Sequence, residues 1–387
     1  MLTSPDDLAA LCDRARQQVA VALDTEFVWE RTYYPALGVV QIGLGGDDVH
    51  LVDTLALTGE DVAPLADLIA DPDTEIVLHD ALQDLQILAR ATGARPRNVF
   101  DTQRVAGMVG QTATASLQDL VEWAVGIRLD KGATRTNWLQ RPLSDKQVPY
   151  AEDDVRYLLD VRDKLVDEAE TRGRIAWIDE EMARYEDEDS YTEADPMDAV
   201  DRVKSRGIGK LDGQSRAVLR HVAAWRETEA RRLDRTRRMV LPDDALAEIA
   251  TRRPETESAL GRTLTDRQAR RYAEGLLAAV RDGEAAPAEP RARRGRPGPD
   301  EDRRQAQLNV LQGLVAGQCT LGDVDPQLAA TKAQLSALVQ AGAEADTAAH
   351  PVLTGWRRAF IGDDLLAFLR GEGAVRLDGR EGWPTSD

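Results

Sequence analysis

VAVALDTEF (19–27) is the segment from which the fold of the amino-terminal part of the chain is inferred. It opens with Val, Ala and Leu, as a buried β-strand does. Asp24 and Glu26 then follow two residues apart, and the two-residue period of a strand points both carboxylates to the same face. Burying two acids costs free energy unless a cation or hydrogen bonds compensate them. The pair is therefore either a metal-binding pair or a hydrogen-bonded or surface pair.

The sequence around this strand predicts an α/β domain, because short apolar runs alternate with segments of helical period. Further strands are predicted at 36–44, 49–53 and 75–79, and helices near 101–109, 116–125 and 144–170. The first two of these strands are joined by Gly45, Gly46 and Asp47, a connection that suits an antiparallel hairpin.

Length and composition indicate folded, soluble domains. A chain of 387 residues is long enough for two or three domains, and 42% hydrophobic with 30% charged residues supplies both cores and surfaces. The sequence has neither a transmembrane run nor a signal-like start. Cys12 and Cys319 are far apart, so neither a disulfide framework nor a thiolate metal site is expected. We expect a cytoplasmic protein with no membrane partner.

Charge is segregated along the chain, although the total is −19. Residues 179–198 hold ten acids against one Arg, which predicts a solvated connection. Residues 201–240 hold twelve Lys or Arg against five acids, a local excess that suits a nucleic-acid partner.

These shifts in composition set the predicted boundaries. They are an α/β domain at 1–178, an acidic linker at 179–200, a first helical domain at 201–283, a Pro/Arg-rich linker at 284–300, a second helical domain at 301–375 and a tail at 376–387.

Three more side chains join the candidate site. Asp84 follows a predicted strand, where ligand sites on open α/β sheets gather. Tyr150 and Asp154 are four apart on a predicted helix and face the same way. Each alone also suits a solvated acid or a core tyrosine.

The four acids together form a set of hard oxygen ligands, which Mg²⁺ or Mn²⁺ prefers. Two such ions roughly 3.5–4 Å apart suit phosphoryl transfer. None of the four histidines, at 50, 79, 221 and 350, lies within helical ligand spacing of another, so a zinc site or a Ser-His-Asp triad is poorly supported.

LDTEF (23–27), HDALQDL (79–85) and YAEDD (150–154), in this order, resemble the three motifs of the DEDD exonucleases. The tyrosine of the third motif is typical of the tyrosine subgroup, in particular of the ribonuclease D family. The similarity extends to 100–103, 135–144 and 355–372. The resemblance implies a ribonuclease H-like exonuclease domain with a mixed sheet, followed by two all-α domains of the HRDC type. It also implies metal ligands and a water-orienting tyrosine at Asp24, Glu26, Asp84, Asp154 and Tyr150.

The resemblance further implies a 3′-5′ exoribonuclease that releases 5′-nucleotides from RNA 3′ ends with two Mg²⁺ or Mn²⁺ ions, acting in the maturation of tRNA precursors. Two alternatives stay open at this point, a DNA 3′-5′ exonuclease with the same metal chemistry and a noncatalytic RNA-binding protein. The helical domains are either nucleic-acid-binding or packing modules. The sequence leaves the oligomeric state open.

Further residues are candidates for substrate binding. Lys131, Arg135 and Arg141 precede the third motif and either meet phosphates or line a solvated loop. Phe27 and Trp29 follow the paired acids and either stack on a terminal base or pack in the core.

Overall fold

The computed structural model describes residues 1–129, 136–290, 299–377 and 384–386. The chain divides into two compact units. The first comprises Met1–Glu26, Leu37–Tyr191 and the described part of Arg296–Asp387, and the second comprises Phe27–Ala36 and the described part of Thr192–Gly295.

A five-stranded sheet with the order β3-β2-β1-β4-β5 lies in the first unit. The strands are β1 (Ala20–Val28), β2 (Ala36–Gly43), β3 (Val49–Asp53), β4 (Glu75–Leu78) and β5 (Val99–Asp101). Strands β2 and β3 pair antiparallel through the predicted hairpin, whereas β4 pairs parallel with both β1 and β5. The predicted mixed sheet is confirmed.

Helices cover this sheet. They are α1 (Pro5–Ala15), α2 (Ala63–Ile69), α3 (Leu82–Thr92), α4 (Thr102–Ala106), α5 (Leu117–Val125), α6 (Gln147–Arg156), α7 (Leu158–Thr171) and α8 (Ile175–Met182). Val21, Ala22 and Leu23 of β1 are fully buried beneath them. The carboxyl ends of β1 and β4 lie at the same edge because the two strands are parallel, and open α/β sheets bind ligands at such an edge.

The second unit is helical, with its own core. Its helices are α9 (Gly213–Leu233), α10 (Arg237–Val240), α11 (Asp243–Arg252), α12 (Glu257–Leu260) and α13 (Asp266–Ala285). Part of its basic excess is used internally, as in the ion pairs of Arg226 with Asp243 and of Arg237 with Glu227. The segment from Phe27 to Ala36 belongs to this unit, where the backbone N–H of Tyr33 donates to Asp234 at 3.0 Å.

The remaining helices belong to the first unit. They are α14 (Pro299–Leu321), α15 (Pro326–Ala329), α16 (Lys332–Ala341), α17 (Gly355–Arg357) and α18 (Asp363–Arg370), followed by a small antiparallel pair of strands, β6 (Val375–Leu377) and β7 (Pro384–Ser386). These helices share one hydrophobic cluster with the sheet. Trp356 stacks on Trp177 of α8 with ring centroids 4.6 Å apart. Helical structure after the sheet, as predicted, is confirmed, while the predicted domain boundaries stay predictions.

The acidic segment differs from the solvated connection that its charge suggested. Residues 183–186 and 188–191 form 3₁₀ turns, and Tyr185 is buried. Arginines from other parts of the first unit compensate the acids, as Arg97 does for Glu186 at 3.0 Å and Arg95 for Glu188 at 2.6 Å. The local charge count does not include ion pairs with residues distant in sequence. The repulsion among the acids of this segment was therefore overestimated from the sequence.

Among the described residues, none of the helices combines the length and the apolar character that a membrane span requires.

Glu181 is the most deeply buried acid of the acidic segment 179–198. Its carboxylate accepts from Arg104 at 3.0 Å, Arg184 at 2.9 Å and Arg357 at 2.7 Å. Burial raises the pKa of Glu181, but the charges of Arg104 and Arg357 outweigh it, so the pKa is lowered overall.

We predict that Glu181→Gln lowers the free energy of unfolding by about 3 kcal/mol, because breaking a buried ion pair leaves uncompensated charge. Denaturant unfolding at neutral pH measures this. Glu188→Gln, which disrupts an exposed pair, is the matched control and should cost less than about 1 kcal/mol. Equal losses in the two variants would contradict the structural role of Glu181.

Candidate active site

Four carboxylates from three elements converge at the carboxyl end of β1. Oxygens of Asp24, Glu26 and Asp154 lie within 4.8 Å of one another. The fourth acid, Asp84 on the first turn of α3, accepts a hydrogen bond from the hydroxyl of Thr25 on β1. The sequence prediction that these acids share one location agrees with the geometry, while their roles stay predictions.

The neighbouring strand β2 supports Asp24. The side chain of Gln41 is fully buried, and its Nε2 donates to Asp24 Oδ2 at 3.3 Å. Neither Gln41 nor Thr25 was predicted from the sequence, because their contacts with the acids depend on which strands and helices lie next to one another. A polar residue in the otherwise apolar run ALGVVQIGL was the available signal for Gln41.

Trp138 supports the other side of the cluster. Its indole donates to the carboxylate of Glu26, and its ring centroid lies 6.1 Å from that of Tyr150. The backbone of Trp138 passes so close to Gly38 that a Cβ there would lie 2.5 Å from the Trp138 carbonyl oxygen. Tyr150 and Asp154 lie on the same helix, α6, one turn apart. The loop before α6 therefore fixes both an acid and the tyrosine.

Burial raises the pKa of all four carboxyl groups, and the charges of neighbouring acids add to this effect. For Asp24, burial and then the charges of Asp84 and Asp154 raise the pKa well above its ordinary value. Burial likewise raises the pKa of Glu26 to about 8, of Asp154 to about 7 and of Asp84 to about 6. Burial also raises the pKa of the Tyr150 phenol, so this group stays protonated at neutral pH.

The cluster fits divalent cations. In the part of the chain that the structure describes, no Lys or Arg forms an ion pair with any of the four acids. The donors are oxygens alone, the set that Mg²⁺ and Mn²⁺ prefer over softer ligands. Repulsion among uncompensated, half-buried carboxylates is relieved when a cation binds between them.

The predicted substrate-binding residues have different outcomes. Lys131 and Arg135 lie outside the described residues. Arg141 is not available to phosphate, since it pairs with Asp53 at 2.7 Å and donates to the Trp138 carbonyl at 2.9 Å, so this interpretation was wrong. Phe27 and Trp29 belong to the second unit, where Trp29 is 55% exposed. Their stacking on a base stays a prediction.

Comparisons with known proteins agree with this geometry. A family model described as 3′-5′ exonuclease matches residues 1–170, and an HRDC domain model matches residues 215–280. The ribonuclease D of Desulfotalea psychrophila is 36% identical over 94% of this chain and 96% of its own length. The ribonuclease D of Granulibacter bethesdensis is 37% identical over 98% of this chain and 95% of its own.

A solved structure shows the same architecture. The crystal structure of Escherichia coli RNase D, described as an exoribonuclease involved in structured RNA processing, superposes with a TM-score of 0.81 at 28% identity. The match covers 96% of this chain and 98% of that one.

The mixed sheet with carboxylates at the ends of its strands, together with the exonuclease model, defines the class of the protein as a 3′-5′ exonuclease, a class that implies divalent metal ions. Within that class, the chain belongs to the ribonuclease D family. The resemblance noted in the sequence and the prediction of a 3′-5′ exoribonuclease are confirmed.

The raised pKa values predict how the stability of the metal-free protein depends on pH. The unfolded carboxyl groups have pKa values of about 4. Because the pKa values are higher in the folded protein, the folded state binds these protons more tightly than the unfolded state. The resulting contribution to the free energy of unfolding is present in full below about pH 4 and is lost as the pH rises through the folded pKa values of about 6 to about 8. Ordinary acids are already ionised above about pH 7, and ordinary histidines neutral, so the cluster dominates there.

We therefore predict that, in chelator, the melting temperature falls between about pH 7 and about pH 8.5, and that Mg²⁺ reverses the fall. Asp24→Asn removes one repelling charge. It should melt above the natural protein in chelator at the higher pH, and gain less from Mg²⁺. A melting temperature independent of both pH and Mg²⁺ would contradict the account.

Proposed function

We propose that this chain shortens RNA from the 3′ end, releasing 5′-nucleotides, with two divalent cations held by Asp24, Glu26, Asp84 and Asp154. The observation that carries the proposal is the convergence of acids from β1, α3 and α6 without a cationic side chain among them. Mg²⁺ and Mn²⁺ both suit this donor set. When bound, the ions stabilise charge on the attacking and leaving oxygens.

The side chains of the site have separate roles in this proposal. The four carboxylates bind the ions, and the protonated phenol of Tyr150 donates a hydrogen bond that orients the attacking water. Trp138 holds the Glu26 carboxylate through its indole N–H, and Gln41 holds Asp24. Thr25 keeps Asp84 against β1. These three residues position ligands and do not contact the reacting atoms.

We propose tRNA precursors as the substrates. The E. coli relative is described as acting in structured RNA processing, and the family resemblance of the whole chain supports the same class here. Phe27 and Trp29 would stack on the terminal nucleotides, with Lys131 and Arg135 near the phosphates. We place the activity in the cytoplasm, since both cysteines are free and buried, as suits a reducing compartment.

The proposal predicts a defined pattern of activity loss. Asp24→Asn and Asp154→Asn should each lower kcat at least about 100-fold, because each removes a metal ligand. Tyr150→Phe should lower kcat by a similar or smaller factor, since it removes the hydroxyl that orients the water but leaves all four metal ligands in place. Release of nucleotides from a 3′-labelled RNA in Mg²⁺ measures this.

Glu152→Gln is the matched control, because Glu152 lies on the same helix but pairs with Arg156. It should retain natural activity. Full activity in both Asp24→Asn and Asp154→Asn would overturn the assignment. Binding of RNA without any metal-stimulated release would instead favour a noncatalytic RNA-binding protein.

RNA preference has its own test. Single-stranded RNA and DNA of identical sequence, each labelled at the 3′ end, should differ in kcat/KM by at least about tenfold in favour of RNA, through contacts to the 2′-hydroxyl. Equal rates, or faster release from DNA, would favour the DNA exonuclease.

A further inference from the structure

Asp101, at the end of β5, is a buried acid that the proposed chemistry does not use. It is 1% exposed, and among the residues described no ion pair involves it. Its carboxylate is bonded instead to backbone amides and one phenol. Such an arrangement compensates a buried charge through several charge-assisted hydrogen bonds.

The amides come from two places in the first unit. Oδ1 accepts from Gln103 N at 3.0 Å, which caps α4. The same carboxylate accepts from Asp80 N and Ala81 N, each at 3.1 Å, in the turn between β4 and α3. Asp101 therefore joins the start of α3 to the start of α4.

The turn from β4 to α3 needs such a partner. Asp80 has a φ of +56°, a left-handed conformation that costs free energy in a residue other than glycine. Helix α3 starts at Leu82, and its N-cap residue Ala81 has no side chain able to accept from the free amides of the first turn. Asp101, from another strand, accepts instead from the two amides immediately before that turn, those of Asp80 and Ala81. Asp84, the third residue of α3, takes its position from this turn.

The phenol is that of Tyr185, whose hydroxyl donates to Asp101 Oδ2. Tyr185 is 2% exposed and lies just after α8. Helix α8 also carries Glu181, whose carboxylate binds Arg357 of the carboxyl-terminal helices. A continuous series of contacts thus leads from those helices, through α8 and Tyr185, to the turn before Asp84.

From this geometry we infer that Asp101 and Tyr185 are positioning residues for the metal ligand Asp84. The inference rests on the proposed function, because it gives these two residues the task of aligning one of the proposed ligands.

The test compares Asp101→Asn, Tyr185→Phe and a control, Tyr191→Phe. The Tyr191 hydroxyl donates to the Tyr185 carbonyl at 2.6 Å, so the control removes a phenol hydroxyl from the same segment without touching Asp101. Calorimetric titration with Mn²⁺ in the absence of RNA measures metal affinity, and RNA release at varied Mg²⁺ measures kcat, KM and the Mg²⁺ concentration for half-maximal rate.

We expect Asp101→Asn to weaken Mn²⁺ binding by about 10-fold to about 100-fold, as loss of a residue behind a ligand does. Tyr185→Phe should weaken it by about threefold to about tenfold, with the half-maximal Mg²⁺ concentration rising in parallel and the KM for RNA unchanged. Tyr191→Phe should match the natural protein. If Asp101→Asn does not fold, Tyr185→Phe decides.

The inference would be overturned if folded Asp101→Asn and Tyr185→Phe bound Mn²⁺ as tightly as the natural protein does. It would also be overturned if Tyr191→Phe lost as much Mn²⁺ affinity as these two variants. Failure of the proposed function has a different signature, since the natural protein would then bind Mn²⁺ without releasing nucleotides. The calorimetric comparison would still decide the role of Asp101 in that case.

Discussion

Electrostatic repulsion among four half-buried carboxylates is the constraint on which the site depends. Charges a few ångströms apart in a medium of reduced dielectric repel strongly, and burial adds a desolvation cost to each. The fold brings Asp24, Glu26 and Asp154 together all the same, and no basic side chain among the residues described pairs with them. This repulsion lowers the stability of the metal-free protein, and it favours the binding of a cation between the acids. The rest of the first unit holds the acids in place despite this repulsion.

That support comes in layers of increasing distance from the acids. Thr25, Gln41 and Trp138 bond the carboxylates directly. Behind them, Gly38 lets the Trp138 loop approach β2, and Arg141 ties the same loop to Asp53. On the α3 side, the carboxyl-terminal helices pack on α8 and share the hydrophobic cluster of the sheet. Helices that follow the exonuclease fold in sequence are thus part of the body that carries its site.

The sequence could predict which acids face the same way, because the periods of strands and helices are local. A spacing of two residues on β1 and of four residues on α6 places side chains on the same face. The positions of the strands were predicted from the apolar runs. Thr25, Gln41 and Asp101 were missed because their contacts depend on which strands and helices lie next to one another. The acidic segment was misjudged for the same reason, since the arginines that neutralise it, such as Arg97 and Arg357, are distant in sequence. Local periods predict which residues can share a face, whereas tertiary packing decides which charges are compensated.

Anomalous diffraction from crystals soaked in Mn²⁺ would reveal whether this cluster holds two cations. We expect two anomalous peaks roughly 4 Å apart, each in contact with carboxylate oxygens of Asp24, Glu26, Asp84 or Asp154. Soaked crystals with no peak at these four residues, or with Mn²⁺ bound only elsewhere, would contradict this expectation.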